Sequence, residues 1–201
     1  MDFVRAIARG ERARVSLVLA SAPQLALASV GVGATRQHAD EYFLDEISHH
    51  VYRGDTALHI AAASYDAGLV RQLVAARAVT RAANRRGAEP LHYAVDGLPG
   101  SPRWAPAAQG ETVIALVALG ADPNAVDRNG TTPLHRAVRN RCAAAVDALL
   151  HAGANARATN GNGSTPMQLA HWTTGRGGSG TPAARAQQAE IVRLLIASGG
   201  V

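Results

Sequence analysis

Apolar positions along this chain recur in short helical bursts, and the most regular stretch lies between 132 and 153. Leu134, Ala137 and Val138 share one helical face, Arg141-Cys142 interrupts it, and Val146, Leu149 and Leu150 restore it. Thr132 is placed to cap the open N–H groups of a first turn. Pro133 follows where a missing N–H costs nothing, and Gly153 supplies a left-handed residue to end the second helix. The spacing predicts a helix, a tight turn and a second helix. Two helices this short cannot bury their apolar faces alone, so the unit implies neighbours like itself.

The sequence supplies those neighbours. Gly163-Ser164-Thr165-Pro166-Met167 restarts the pattern 33 residues after Gly130. Gly54-Asp55-Thr56-Ala57-Leu58-His59 and Gly87-Ala88-Glu89-Pro90-Leu91-His92 are also 33 apart, whereas Gly87 and Gly130 are separated by 43, one period plus ten inserted residues. A 33-residue period carrying Thr-Pro-Leu-His-x-Ala resembles the ankyrin repeat. The resemblance implies an all-α, single-domain solenoid of stacked helix-turn-helix pairs with short finger loops. Its repeats are expected near 1–27 (an N-terminal cap), 51–83, 84–126, 127–159 and 160–201 (a C-terminal cap), with insertions at 28–50, 97–106 and 174–182.

The insertions and irregular turns carry their own expectations. In 40–47, Tyr42, Phe43 and Ile47 with Val51 suggest one or two helical turns, and Asp40, Glu41, Asp45 and Glu46 make this the most acidic segment. Pro99, Pro102 and Pro106 exclude a helix across the 97–106 insertion, so a second helix is expected only near 108–119. The resemblance places glycines where Tyr65 and Arg77 stand. The 51–83 repeat is therefore expected to be the weakest internal link.

Composition changes the picture in four ways. Hydrophobic residues make up 47% of the chain but aromatics only 4%, so the core is built from Ala, Leu and Val, which suits closely stacked short helices. All 20 basic residues are Arg, against 15 acids, for a net charge of +5 and a pI of about 10.3. That balance raises nucleic-acid binding as an alternative, and the absence of Lys suggests a bacterial source. The lone Cys142 excludes an internal disulfide framework and fits a cytoplasmic location. Residues 15–32 are the most apolar and follow Arg5, Arg9, Arg12 and Arg14, the outline of a signal peptide. Pro23 interrupts them, and Val4, Ile7 and Ala8, then Val15, Val18 and Leu19, read better as a helix pair around Gly10.

Candidate chemistry is sparse. His59, His92 and His135 recur in register, which suggests hydrogen bonds between adjacent turns rather than zinc, whose ligands must converge within about 2 Å of one ion. His49 and His50, with His38, read as solvated loop histidines. Gly175 to Thr181 is glycine-rich but lacks the Gly-Lys-Ser/Thr ending of a phosphate loop. Cys142 reads as a small packing residue. No carboxylate pair falls on one face, so neither a catalytic group, a cofactor site nor a metal site is expected, and an enzyme built on the insertions ranks last.

Surface residues remain. Carried onto this chain, the family's concave, partner-binding face comprises Tyr52, Arg53, Asp55, Arg85, Arg86, Asp96, Arg128, Asn129, Thr131, Arg139, Trp172 and Thr173. Arg, Tyr and Trp often dominate interface energetics. The resemblance thus implies a monomeric, non-catalytic module for a protein partner, with an acidic partner the one these arginines would suit, nucleic acid the less favoured ligand and no membrane. Two arrangements stay open for the acidic insertion: it rests on these arginines, or it leaves them to a partner.

Overall fold

The computed structural model describes residues 1–172 and 181–200. The glycine-rich stretch, Thr173 and most of the 174–182 insertion lie outside them. Helices come in consecutive pairs: α1 (Asp2–Ala8) with α2 (Arg12–Ser21), α3 (Ala57–Ala63) with α4 (Ala67–Ala75), and α5 (Pro90–Ala94) with α6 (Pro106–Ala118). After these come α7 (Pro133–Arg139) with α8 (Ala143–His151), and α9 (Pro166–His171) with α10 (Pro182–Ala197). First helices stack on first helices, α1 on α3 on α5 on α7 on α9, while α4, α6, α8 and α10 form a second layer. The core between the layers is Ala, Leu, Val and Ile, as the composition implies.

Each helix start is built as the residues suggest. Thr56, Glu89, Thr132 and Thr165 are extended N-cap residues whose side chains face the backbone N–H three positions on. The third residue reciprocates. Nδ1 of His59 accepts from Thr56 N–H at 3.0 Å, that of His92 from Glu89 at 3.1 Å and that of His135 from Thr132 at 3.4 Å. Because Nδ1 accepts, the proton of the neutral ring sits on Nε2. Each Nε2 then donates to the next repeat, at Ala88, Thr131 and Ser164 carbonyls, all at 3.0 Å. One imidazole caps its own helix and ties it to the next. All three rings are fully buried, and burial pushes each pKa down, that of His92 to about 4.

Two expectations change. Residues 40–47 do not form helical turns beyond a single 3₁₀ turn at Asp40–Tyr42. The chain continues as a small antiparallel hairpin, β1 (Phe43–Leu44) with β2 (His49–His50), pairing Phe43 with His50 and Leu44 with His49. Leu44 and Val51 are buried and Tyr42 and Ile47 pack on the core, so the apolar set is used, but with strand geometry. Ser48, at φ 50°, makes the reversal. The second change is that α6 begins at Pro106, earlier than expected, because proline is well tolerated as the first helical residue.

The left-handed turns are where glycine was missing. Tyr65 (φ 54°), Arg77 (φ 71°) and Arg141 (φ 60°) all adopt that conformation, which is costly for residues with a Cβ. Arg77 is exposed with its turn closed only by backbone. Arg141 is buried and donates to the carbonyls of Ala170 and Trp172. Arg77→Gly is expected to raise stability by up to about 1 kcal/mol in denaturant melts. Arg141→Gly is expected to lower it, because the buried Ala170 carbonyl and the half-buried Trp172 carbonyl lose a charged donor.

The histidine line generates a pH dependence. A histidine whose folded pKa lies below its unfolded value binds fewer protons when folded, so its contribution is complete above pH ~6.5 and is lost as pH falls towards the folded value. Thermal melts are expected to weaken from pH 7 to about pH 4, with His92 alone supplying on the order of 3 kcal/mol. In His92→Gln, where glutamine serves the cap as Gln168 does for Thr165, that slope is expected to shrink. An unchanged slope would remove His92 as its source.

Candidate functional site

The finger loops between pairs present the candidate face. In three of them an Asx residue closes the turn on itself: Oδ1 of Asn84 accepts from Arg86 and Ala88, that of Asp127 from Asn129 and Thr131, and that of Asn160 from Asn162 and Ser164. The tips are joined by backbone. Arg85 N–H donates to Arg53 O at 2.9 Å, Arg128 to Arg86 at 3.0 Å and Gly161 to Asn129 at 2.8 Å. A Cβ on Gly54, Gly87 or Gly130 would come within 3 Å of the next tip's backbone, and all three have positive φ, so glycine is needed there twice over.

The stretch before the hairpin extends this ladder outward. Val30 N–H donates to Asp55 O at 2.7 Å, Gly54 to Val30 at 2.8 Å and Ala34 to Val51 at 2.8 Å. The insertion therefore covers the first finger's open edge, and Arg85 clasps it through Ala34 O at 2.5 Å.

Of the sequence-expected partner residues, Arg53, Arg85, Arg86, Arg128, Asn129, Arg139 and Trp172 are exposed. Tyr52 is half-buried, with the guanidinium carbons of Arg86 and Arg85 at 4.7 and 5.5 Å from its ring centre. Asp55 is not a surface residue. It is 0% exposed and accepts from Tyr93 Oη, Asn84 Nδ2 and the Tyr52 N–H, so it organises the finger from inside. Thr131 is buried too, its carbonyl serving His92.

Asp96 is the centre of a charge network rather than a free contact. It accepts from Arg136 at 3.2 Å, Asn140 at 2.9 Å and His49 Nε2 at 3.1 Å. Burial would raise its pKa, but Arg136 and His49 overcome that and hold it at about 2. Burial likewise opposes protonation of His49, and the bond to Asp96 outweighs it, raising the histidine's pKa. The His49 ring also lies 4.5 Å from that of Tyr93. His49 is thus no solvated loop residue: it fastens the hairpin to the stack. His38 is the exposed one, beside Glu41.

The second insertion faces the hairpin. Arg103 donates to Ser48 Oγ at 2.9 Å across the gap, Trp104 Nε1 donates to Gln109 at 3.1 Å, and the Tyr65 hydroxyl donates to Asp96 O. A Cβ on Gly97 would strike Cys142 Sγ at 2.8 Å. Cys142 is buried and its thiol is pushed up to about 12 by burial, which suits packing and not reactivity. Beneath the two insertions a cavity of about 440 Å³ opens over the first helices. Its walls include His49, Tyr65, Arg86, Asp96 and Trp104. Among the described residues no three His, Cys, Asp or Glu side chains converge to hold a metal ion, and no helix is long and apolar enough to cross a membrane.

Residues 116–170 match the family model described as ankyrin repeats in many copies. That stretch carries ankyrin repeats. No curated protein matches the chain significantly. The ankyrin match spans the end of α6, the whole of α7 and α8 and most of α9, where the Asx turns and Thr-Pro starts are most regular. Ankyrin repeats are in general protein–protein interaction modules and typically non-catalytic.

The hairpin, the cavity and the Asp96 network were not foreseen from the sequence. The one usable sign was Gly97 within a repeat's helix turn, a residue type that often marks a close approach of other atoms.

Proposed function

We propose that this chain is a non-catalytic, monomeric binding module that engages an acidic surface of a partner protein along its finger tips and concave face. The observation that carries this reading is the disposition of charge. Two acids of the 28–50 insertion are engaged elsewhere: Glu46 pairs with Arg9 at 2.9 Å and Glu41 lies by His38. Among the described residues Arg53, Arg85, Arg86 and Arg128 form no ion pair, although they sit on consecutive tips joined by the backbone ladder. A guanidinium fork pairs bidentately with carboxylates, and a row of them speeds encounter with an acidic surface and selects for it. Trp172, 51% exposed at the end of α9, is the aromatic anchor at the far end. A cytoplasmic setting suits the single buried thiol.

The test is affinity capture from a nuclease-treated lysate of the source cells, with wild type beside Arg53→Glu/Arg128→Glu. Both side chains are exposed, so the melting curve should not move. The double reversal is expected to lose the captured protein by about tenfold or more. Equal capture by the variant would place the interface elsewhere, and a complex that nuclease dissolves would make nucleic acid the ligand.

A further inference from the structure

We propose that the cavity beneath the two insertions is a binding site for a single carboxylate group, carried either by an acidic side chain of a peptide or by a small free carboxylic acid. At about 440 Å³ the space falls within the range of small-molecule pockets. Its own acids are occupied: Asp96 is held by Arg136, His49 and Asn140, and Glu46 by Arg9. Two of its arginines, Arg86 and Arg103, are less so. Arg86 lies over the Tyr52 ring, and Arg103 donates to the Ser48 hydroxyl; neither meets a carboxylate among the described residues. Arg136, in the same wall, keeps a buried Nε with no hydrogen-bond partner.

The result is a cleft with two forks at its mouth, a positive balance and flat aromatic walls from Tyr65 and Trp104. A carboxylate offers two oxygens to one fork with a single negative charge. A phosphate dianion fits less well, since Asp96 lies in the wall and no run of backbone N–H groups is presented as in phosphate loops. Arg86 belongs to both surfaces, but Arg53, Arg85 and Arg128 do not line this cavity. The Arg53→Glu/Arg128→Glu variant therefore tests the finger-tip interface without altering the cavity, and the two readings can fail separately.

Trp104 in the wall makes the test direct. In the full chain with Trp172→Phe, which leaves Trp104 as the only tryptophan, fluorescence is titrated with phenylacetate, with the capped peptide acetyl-Phe-Glu-amide and with neutral phenylacetamide. Saturable change with either carboxylate, at a Kd on the order of 1 mM or tighter, and none with the amide is the expected result. The tighter of the two carboxylates identifies the source. Arg103→Gln, an exposed position, is expected to weaken binding at least about fivefold with an unchanged melting curve. Arg86→Gln, measured alongside by calorimetry, is expected to do the same. No saturation by about 10 mM, equal response to the amide, or affinity unchanged in both arginine variants would overturn the proposal.

Discussion

Nδ1 of each buried histidine accepts a backbone N–H from its own helix start, and that single bond decides where the remaining proton sits. With the proton on Nε2, the ring has one direction left in which to donate, and in all three cases the carbonyl of the following finger lies there at 3.0 Å. Short helices of five to seven residues are not stable alone. They persist here because capping and stacking are performed by the same side chain. The ring must also be neutral, since a protonated Nδ1 has no acceptor role to offer. Burial enforces that neutrality by penalising the cation.

The spacing of the fingers follows from this stitch. Once each helix start is fixed against the next, successive tips come close enough for the ladder from Arg53 to Gly161, and the close approach in turn demands glycine at Gly54, Gly87 and Gly130. The same closeness brings arginines of neighbouring tips together without acids between them. Coulomb repulsion among such exposed groups is small in water and screened by salt, so the stack tolerates a row that an acidic surface would find attractive. The insertion at 28–50 adds one rung at the open edge and then folds back as a hairpin. Ion pairs and ring stacking through His49 fasten it over the first helices, which turns part of an open face into a walled cavity.

What the sequence made legible is what depends on neighbours within one repeat. Thr132, Pro133 and His135 lie within four residues of each other, so cap and ring are read together, and the 33-residue recurrence says that the next repeat receives the bond. Left-handed Tyr65 and Arg77 were visible as well, as residues standing where the turn expects glycine, whereas Arg141 showed in the sequence only as a break in the apolar face. The failures share a cause. Asp55 was read as a tip residue because its position in the repeat is exposed by pattern. It is buried because Asn84 and Tyr93, contributed by the next repeat, reach back to it. The hairpin has strands of two residues, too short to show a period, and its anchor, the bond between His49 and Asp96, spans 47 positions that no local spacing connects.

The claim on which the rest depends is that three neutral imidazoles carry their protons on Nε2 and give them to the next repeat. Long-range ¹H–¹⁵N correlation of the histidine rings at neutral pH reads this atom by atom. The account predicts that His59, His92 and His135 each show an acceptor-type Nδ1 and a protonated Nε2 whose hydrogen exchanges slowly with water, distinct from exposed His38 and His151. Imidazolium patterns, protons on Nδ1, or rapidly exchanging Nε2 hydrogens at these three positions would contradict it.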